Sequence, residues 1–169
     1  MRACGLSPSY VWAGTSFQKV NPNFKDLLLA FNEHDVDYLI VGAHALAAHG
    51  HVRATKDLDL WVRREQTNAQ KVLQALSDFG APLSDLTASD LSKKETIFQI
   101  GVPPLRIDII TNIDGVEFAE AWRDRVETSF GGVSAFVISR HHLITNKKTS
   151  ARLQDLADVQ QLESINDRL

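Results

Sequence analysis

The sequence has few of the features that mark secreted, membrane-spanning or highly basic proteins. Its single cysteine, Cys4, cannot form an internal disulfide, so we expect a reducing, cytoplasmic location. No apolar run approaches the roughly 20 residues that a membrane-spanning helix requires, so we expect no membrane partner. The formal net charge of -3 gives no general attraction to nucleic acid, so an RNA partner would need a local basic patch.

The composition that remains is that of a globular protein. Of 169 residues, 44% are hydrophobic and 23% are charged, which suits one domain with a substantial core. Residues 1–20 show glycine, proline and scattered aromatic residues without a period, and we predict an irregular N-terminal arm there. Residues 21–169 are predicted to form a single domain.

The most informative stretch runs from Tyr38 to Val62. An apolar run over residues 38–41 predicts a buried strand, and Gly42-Ala43 then breaks it, with a short helix expected from Ala43 to His49. The first amides of a helix have no partner within the helix, and the helix dipole favours anions at that end. Gly42 and Ala43 are therefore candidates for binding a triphosphate.

Two carboxylates follow on a second predicted strand, residues 57–62. The two-residue period of a strand places Asp57, Asp59 and Trp61 on one face. Neighbouring carboxylates repel one another, and oxygen ligands without nearby cysteine suit Mg²⁺ or Mn²⁺. Asp108, within the alternating run of residues 105–111, is the candidate third ligand.

The remaining elements predict an α/β (α+β) fold. It would have a mixed, largely antiparallel sheet of about five strands, with helices mainly on one face. Hairpins are expected around residues 101–104 and at Gly131-Gly132, a strong two-residue turn signal. Thr67 to Gln70 has the form of a capping box and predicts the start of a helix that ends at Gly80.

These residues resemble the nucleotidyltransferase superfamily, whose fold is related to that of DNA polymerase beta. The likeness extends over roughly residues 24–162 and rests on four segments: VGAHALAAHG, RATKDLDL, RIDII and LITNKKTSARLQDLADVQQLE. Within the superfamily, the segments look most similar to small bacterial AbiEii-type toxins and their relatives. The family usually has Gly-Gly or Gly-Ser where this chain has Gly42-Ala43, so a serine hydroxyl contact to phosphate is missing here.

The resemblance implies transfer of a nucleoside monophosphate from a nucleoside triphosphate to a hydroxyl, with Mg²⁺ or Mn²⁺ as cofactor. The acceptor stays open between a tRNA end, a protein hydroxyl and a small molecule such as an aminoglycoside. An alternative, favoured by Ala43, is an inactive binding module of the same fold, antitoxin-like or regulatory. A homodimer or a cognate antitoxin is the expected protein partner.

The resemblance also assigns roles to individual residues. Asp57, Asp59 and Asp108 would hold the metal. Asp108 could also take the proton of the acceptor hydroxyl. Other residues would bind the nucleotide, either directly or by orienting an acid: Gly42, Ala43, Arg53, Thr55 and Lys147.

Overall fold

A computed structural model of the chain describes residues 10–13, 16–19, 22–83, 85–102 and 105–166. The first two ranges are the strands β1 (Tyr10–Ala13) and β2 (Ser16–Lys19), which pair antiparallel. Regular strand pairing therefore occurs at residues 10–13 and 16–19, within the stretch for which we predicted an irregular arm. The rest of the arm lies outside the described residues.

A mixed six-stranded sheet forms the centre of the molecule, one strand more than the sequence predicted. Its order is β5-β6-β4-β3-β8-β7. The strands are β3 (Tyr38–Val41), β4 (Asp57–Val62), β5 (Ile97–Ile100), β6 (Arg106–Ile110), β7 (Val126–Phe130) and β8 (Val133–Val137). Three of its pairings are antiparallel, whereas β4 with β6 and β3 with β8 are parallel. The mixed and largely antiparallel sheet of the prediction is confirmed.

Seven helices accompany the sheet in the described part of the chain. They are α1 (Pro22–Glu33), α2 (Gly42–Ala48), α3 (Gln66–Phe79), α4 (Ala88–Leu91), α5 (Phe118–Arg123), α6 (Arg140–Ser150) and α7 (Leu153–Asn166). None of these helices is long and apolar enough to cross a membrane.

The core lies between the sheet and the paired helices α1 and α3. Helix α1 contacts α3 and β8, and α3 contacts β4. Most of the apolar residues that recur at helical spacing in α1 and α3 are fully buried, among them Leu27, Leu28, Phe31, Val72 and Leu76. Leu73 and Phe79 are partly buried against the same core. This packing fixes the central strands that carry the predicted acids.

The face of β4 that carries the acids is open near Asp57 and closed near Trp61. Trp61 is 1% exposed, and its ring packs edge-on against Phe118 of α5 at 4.9 Å between centroids. Helix α5 therefore covers the far end of the same face. The carboxylates at the beginning of β4 remain beside a cavity.

Candidate active site

The turn between β3 and α2 is shaped around the carboxylate of Asp59. Gly42 has φ +66, a left-handed conformation that side chains with a Cβ rarely adopt. A Cβ built on Gly42 would also overlap Oδ2 of Asp59. Glycine is required here for two reasons, conformation and space, and both bring the start of α2 close to Asp59.

The first amides of α2 receive no help from a capping side chain. The N-cap residue is Val41, whose side chain has no hydrogen-bond acceptor. Helix α2 begins at Gly42 and ends at Ala48, within one residue of the predicted bounds at each end. The side chain of Ala43 is buried, so only the backbone of this residue can serve a ligand.

The parallel pairing of β4 with β6 brings the three acids together on neighbouring strands. Asp59 lies opposite Asp108, and Asp57 lies opposite Arg106. Residues in register on neighbouring strands share a face, so all four side chains belong to the same surface. The sequence had placed Asp57 and Asp59 on one face, and the register adds Asp108 to that face.

Asp59 is the most perturbed of the three acids. Burial raises its pKa to about 6, and the nearby charges of Asp108 and Asp57 act in the same direction. Within the described residues, its carboxylate has no hydrogen bond or ion pair. A half-buried carboxylate without a partner favours either a proton or a cation.

Asp57 and Asp108 share the guanidinium group of Arg106. Its Nη2 lies 3.3 Å from Oδ2 of Asp57, and its Nε lies 2.9 Å from Oδ1 of Asp108. The Nε–H is poorly aligned with that oxygen, so the contact is an ion pair without a good hydrogen bond. Burial raises the pKa of Asp108, and the charge of Arg106 partly offsets this effect.

The three acids do not form a preassembled metal site. Among the residues that the structure describes, no group of three or more histidine, cysteine, aspartate or glutamate side chains is arranged to hold a metal ion. The carboxylates of Asp57 and Asp108 are directed to Arg106 instead. Sequence reasoning missed Arg106, although its position two residues before Asp108 already placed it on the same face.

Lys147 has protein partners where the sequence predicted a contact to phosphate. Its side chain is buried, and Nζ lies 2.7 Å from Oδ1 of Asp155 and 2.8 Å from Oδ2 of Asp158. Burial alone would raise the pKa of Asp155, but hydrogen bonds from Lys147 and Ser150 lower it below its ordinary value. The charge of Lys147 still lowers the pKa of Asp59, so the lysine is a neighbour of the site.

Arg53 and Thr55 also serve the protein's own structure. Nε of Arg53 lies 3.6 Å from Oδ1 of Asp158, an ion-pair distance that is too long for a hydrogen bond. Thr55 donates its hydroxyl to the carbonyl of Asp57 at 3.2 Å and accepts from the Asp57 N–H at 3.3 Å. Thr55 thus fixes the backbone at the start of β4, not the carboxylate.

A cavity of about 400 Å³ opens beside Asp59. Gly42 and Lys147 line it, together with polar residues that include Thr96, Asn112 and Asn146. This volume falls in the range of small-molecule sites. The cavity can therefore receive part of a nucleotide or of an acceptor next to the acids.

Comparison with known proteins gives a family and a fold. The family described as "Nucleotidyltransferase of unknown function (DUF6036)" matches residues 18–168. No curated protein matches the chain. Neither this family description nor the three solved structures described next mention AbiEii-type toxins, so that finer likeness stays a prediction.

Three solved structures share the fold at low sequence identity. The lincosamide antibiotic adenylyltransferase LnuA, with lincomycin bound, has a TM-score of 0.53 and 18% identity, covering 86% of this chain and 98% of its own. A candidate nucleotidyltransferase of Thermotoga maritima has a TM-score of 0.54 and 12% identity, with 86% and 91% covered. An antigenic nucleotidyltransferase-like protein of Paracoccidioides brasiliensis has a TM-score of 0.51 and 14% identity, with 85% and 75% covered.

The family match extends over nearly the whole chain, and the mixed six-stranded sheet agrees with a nucleotidyltransferase fold. The chain belongs to this family of nucleotidyltransferases and is an enzyme of that type.

Proposed function

We propose that this enzyme transfers a nucleoside monophosphate from a nucleoside triphosphate to a hydroxyl group, with Mg²⁺ or Mn²⁺ as cofactor. The observation that carries the proposal is the close approach of Gly42 to the half-buried carboxylate of Asp59, with Asp108 in register beside it. A phosphate held at the start of α2 would therefore lie directly next to these carboxylates. A site of this kind needs both a phosphate-binding turn and acids that attract a cation.

The donor atoms suit a hard divalent cation. Asp57, Asp59 and Asp108 offer carboxylate oxygens only, and the carboxylate of Asp59 has no partner within the described residues. Its pKa is raised because the ionised carboxylate is poorly solvated and lies near two other acids, and a bound metal ion would stabilise the ionised form. When bound, such an ion stabilises negative charge on phosphate oxygens.

The residues of the chain then have distinct roles in the transfer. The backbone amides of Gly42 and Ala43 bind the phosphates that will leave. The acceptor oxygen attacks the α-phosphorus, the bond to the β-phosphate oxygen breaks, and pyrophosphate departs with the bonding electrons. The proton of the acceptor hydroxyl passes to the carboxylate of Asp108, whose raised pKa makes it a better base.

Lys147, Arg53 and Thr55 lie next to the site and act on it indirectly. Lys147 contributes positive charge next to Asp59 while it remains bound to its own two carboxylates. Arg53 and Thr55 hold the segment that leads into β4. We therefore propose a positioning role for them in place of the direct phosphate contact that the sequence suggested.

The acceptor is proposed as a hydroxyl of RNA, of protein or of a small molecule. The cavity beside Asp59 has room for a small acceptor or for the end of a larger one. LnuA is an adenylyltransferase whose structure contains lincomycin, so small hydroxylated compounds belong in the search.

The test is a transfer assay with each of the four labelled ribonucleoside triphosphates. Acceptors would be total tRNA, a protein lysate and a set of hydroxylated small molecules, each with Mg²⁺ or Mn²⁺. We expect transfer to one acceptor class by the unmodified enzyme and none by Asp57→Ala with Asp59→Ala. Triphosphate binding without transfer to any acceptor would instead favour the binding-module alternative.

Asp108→Asn tests the proton acceptor. The change keeps the shape of the side chain but removes the charge and the base, so single-turnover transfer should fall at least 100-fold, on the order of the usual effect of general base catalysis. Triphosphate binding, measured by titration calorimetry on the same protein, should change much less. Full transfer activity in Asp108→Asn would remove this residue from the chemistry.

A further inference from the structure

Arg106 occupies the position that a cation would take between two of the three acids. Its guanidinium contacts Asp57 at 3.3 Å and Asp108 at 2.9 Å, and its side chain is 31% exposed. The contact arises from the sheet itself, because the parallel register places Arg106 opposite Asp57 and two residues before Asp108. Arg106 therefore lies on the same face of the sheet as the three acids.

Lys147, the other cation near the three acids, does not pair with Asp57 or Asp108. Lys147 is bound to Asp155 and Asp158 at 2.7 and 2.8 Å. Asp59 has no ion pair among the described residues. The three acids near Arg106 therefore carry more negative charge than one guanidinium neutralises.

We propose that Arg106 is an internal competitor of the metal: its guanidinium holds Asp57 and Asp108 in the metal-free protein and must leave them when a divalent cation binds. The inference rests on the proposed function, because it assumes that these acids are the metal ligands. It assigns to Arg106 control over metal affinity, a role that neither the sequence nor the family description provides.

The physical reason is that one carboxylate oxygen cannot serve both cations well. The guanidinium contacts Oδ2 of Asp57 and Oδ1 of Asp108, and a metal ion would require oxygens of the same two groups. Two positive charges at this separation would also repel each other. Because the Arg106 Nε–H is poorly aligned with Oδ1 of Asp108, moving the guanidinium away breaks an ion pair at that oxygen but no well-formed hydrogen bond.

Titration of the metal-free protein with Mn²⁺ tests this inference without reference to turnover. Free Mn²⁺ is followed by electron paramagnetic resonance, with no nucleotide present. We expect Arg106→Gln to bind Mn²⁺ at least tenfold more tightly than the unmodified protein, a change equivalent to about 1.4 kcal/mol. Lys56→Gln is the matched control, since it removes one exposed positive charge one residue from Asp57 and should change affinity much less.

Arg106→Lys provides a second variant. It retains the charge but loses the planar guanidinium that reaches both acids, so its affinity for Mn²⁺ should lie between those of the unmodified protein and Arg106→Gln. Melting temperatures give a separate readout: Mn²⁺ should raise that of Arg106→Gln more than that of the unmodified protein. If either variant fails to fold, as judged by circular dichroism, the other still decides the question.

The outcomes separate the inference from the proposed function. If Asp57→Ala with Asp59→Ala binds Mn²⁺ as tightly as the unmodified protein, these acids are not the metal site and both proposals are wrong. If binding depends on the acids but the two Arg106 variants bind no more tightly than Lys56→Gln, only the role of Arg106 is overturned.

Discussion

Asp59→Asn should make the metal-free protein more stable at pH 8. The pKa of Asp59 is raised from 3.8 to about 6 in the folded protein. The folded protein therefore holds this proton more tightly than the unfolded chain does, and stability is lost as the pH rises from about 4 through 6. Above that range the whole cost is present, and the asparagine removes it while keeping nearly the same shape.

The size of the effect follows from the difference in pKa. A difference of about two corresponds to about 3 kcal/mol when one group titrates alone. Asp59 is coupled to Asp57 and Asp108 and borders an open cavity, both of which reduce the net effect. We expect a gain in the free energy of unfolding of about 1 to 2 kcal/mol at pH 8, or a rise in melting temperature of about 3 to 6 °C.

The measurement is thermal and urea unfolding in the presence of a chelator at pH 8 and pH 4. At pH 4 Asp59 is already protonated in the folded protein, so the gain should be small. Asp85→Asn, at an exposed carboxylate, is the control and should give little change at either pH. A variant that is no more stable at pH 8, or equally stabilised at both pH values, would refute the argument that the ionised Asp59 is destabilising.

Two further substitutions test the surroundings of Asp59. Gly42→Ala should lower the free energy of unfolding by at least about 2 kcal/mol, because it adds a clash with Asp59 to the cost of a left-handed residue. Gly80→Ala, where a Cβ meets nothing within 4 Å, should show only the conformational cost in the same urea unfolding assay, and equal losses would disprove the contact. Lys147→Met should cost about 3 to 5 kcal/mol because it removes the buried cation that is hydrogen-bonded to both Asp155 and Asp158, whereas Lys148→Met breaks an exposed pair and should cost less than about 1 kcal/mol. Similar costs for the two lysine variants would contradict the structural role assigned to Lys147.

Local patterns predicted the elements of the fold well. The strand over residues 57–62 and the hairpin at Gly131-Gly132 are confirmed. The parallel pairing of β4 with β6 joins segments about 50 residues apart in sequence, and the local patterns carried no signal for it. The same pairing brings Asp108 next to Asp59, so the arrangement of the site could only be guessed through the resemblance.

One helix start shows how tertiary contacts override a local pattern. The capping box predicted at Thr67 to Gln70 is not formed, because α3 begins at Gln66 with Glu65 as the N-cap and no side-chain cap. Asn68 instead accepts a hydrogen bond from the Asp37 N–H and donates to the Asp37 carbonyl. Its side chain ties α3 to the segment before β3, and that requirement was invisible in the helix pattern.

The two cations that the sequence predicted to contact phosphate, Arg53 and Lys147, share one property: each lies close to a carboxylate of α7. The predicted phosphate contacts of Arg53 and Lys147 treated each cation as free, whereas both approach Asp158, at 3.6 and 2.8 Å. A buried acid attracts any cation within reach, because an unpaired charge in the interior is costly. A lysine or arginine near a predicted site is therefore a weaker indicator of phosphate binding when a buried acid of the same chain, such as Asp158, can pair with it.

Asp158 consequently connects the last helix to the candidate site. It is completely buried and lies against the lysine of α6, with His51 and Arg53 of the loop before β4 each at 3.6 Å. That loop leads directly to Asp57, and Lys147 influences the pKa of Asp59. Because one carboxylate holds both the loop and the lysine, the position of α7 and the electrostatics of the acids are linked. The C-terminal helix thus belongs to the structural support of the site, although none of its residues lies on the strands that carry the acids.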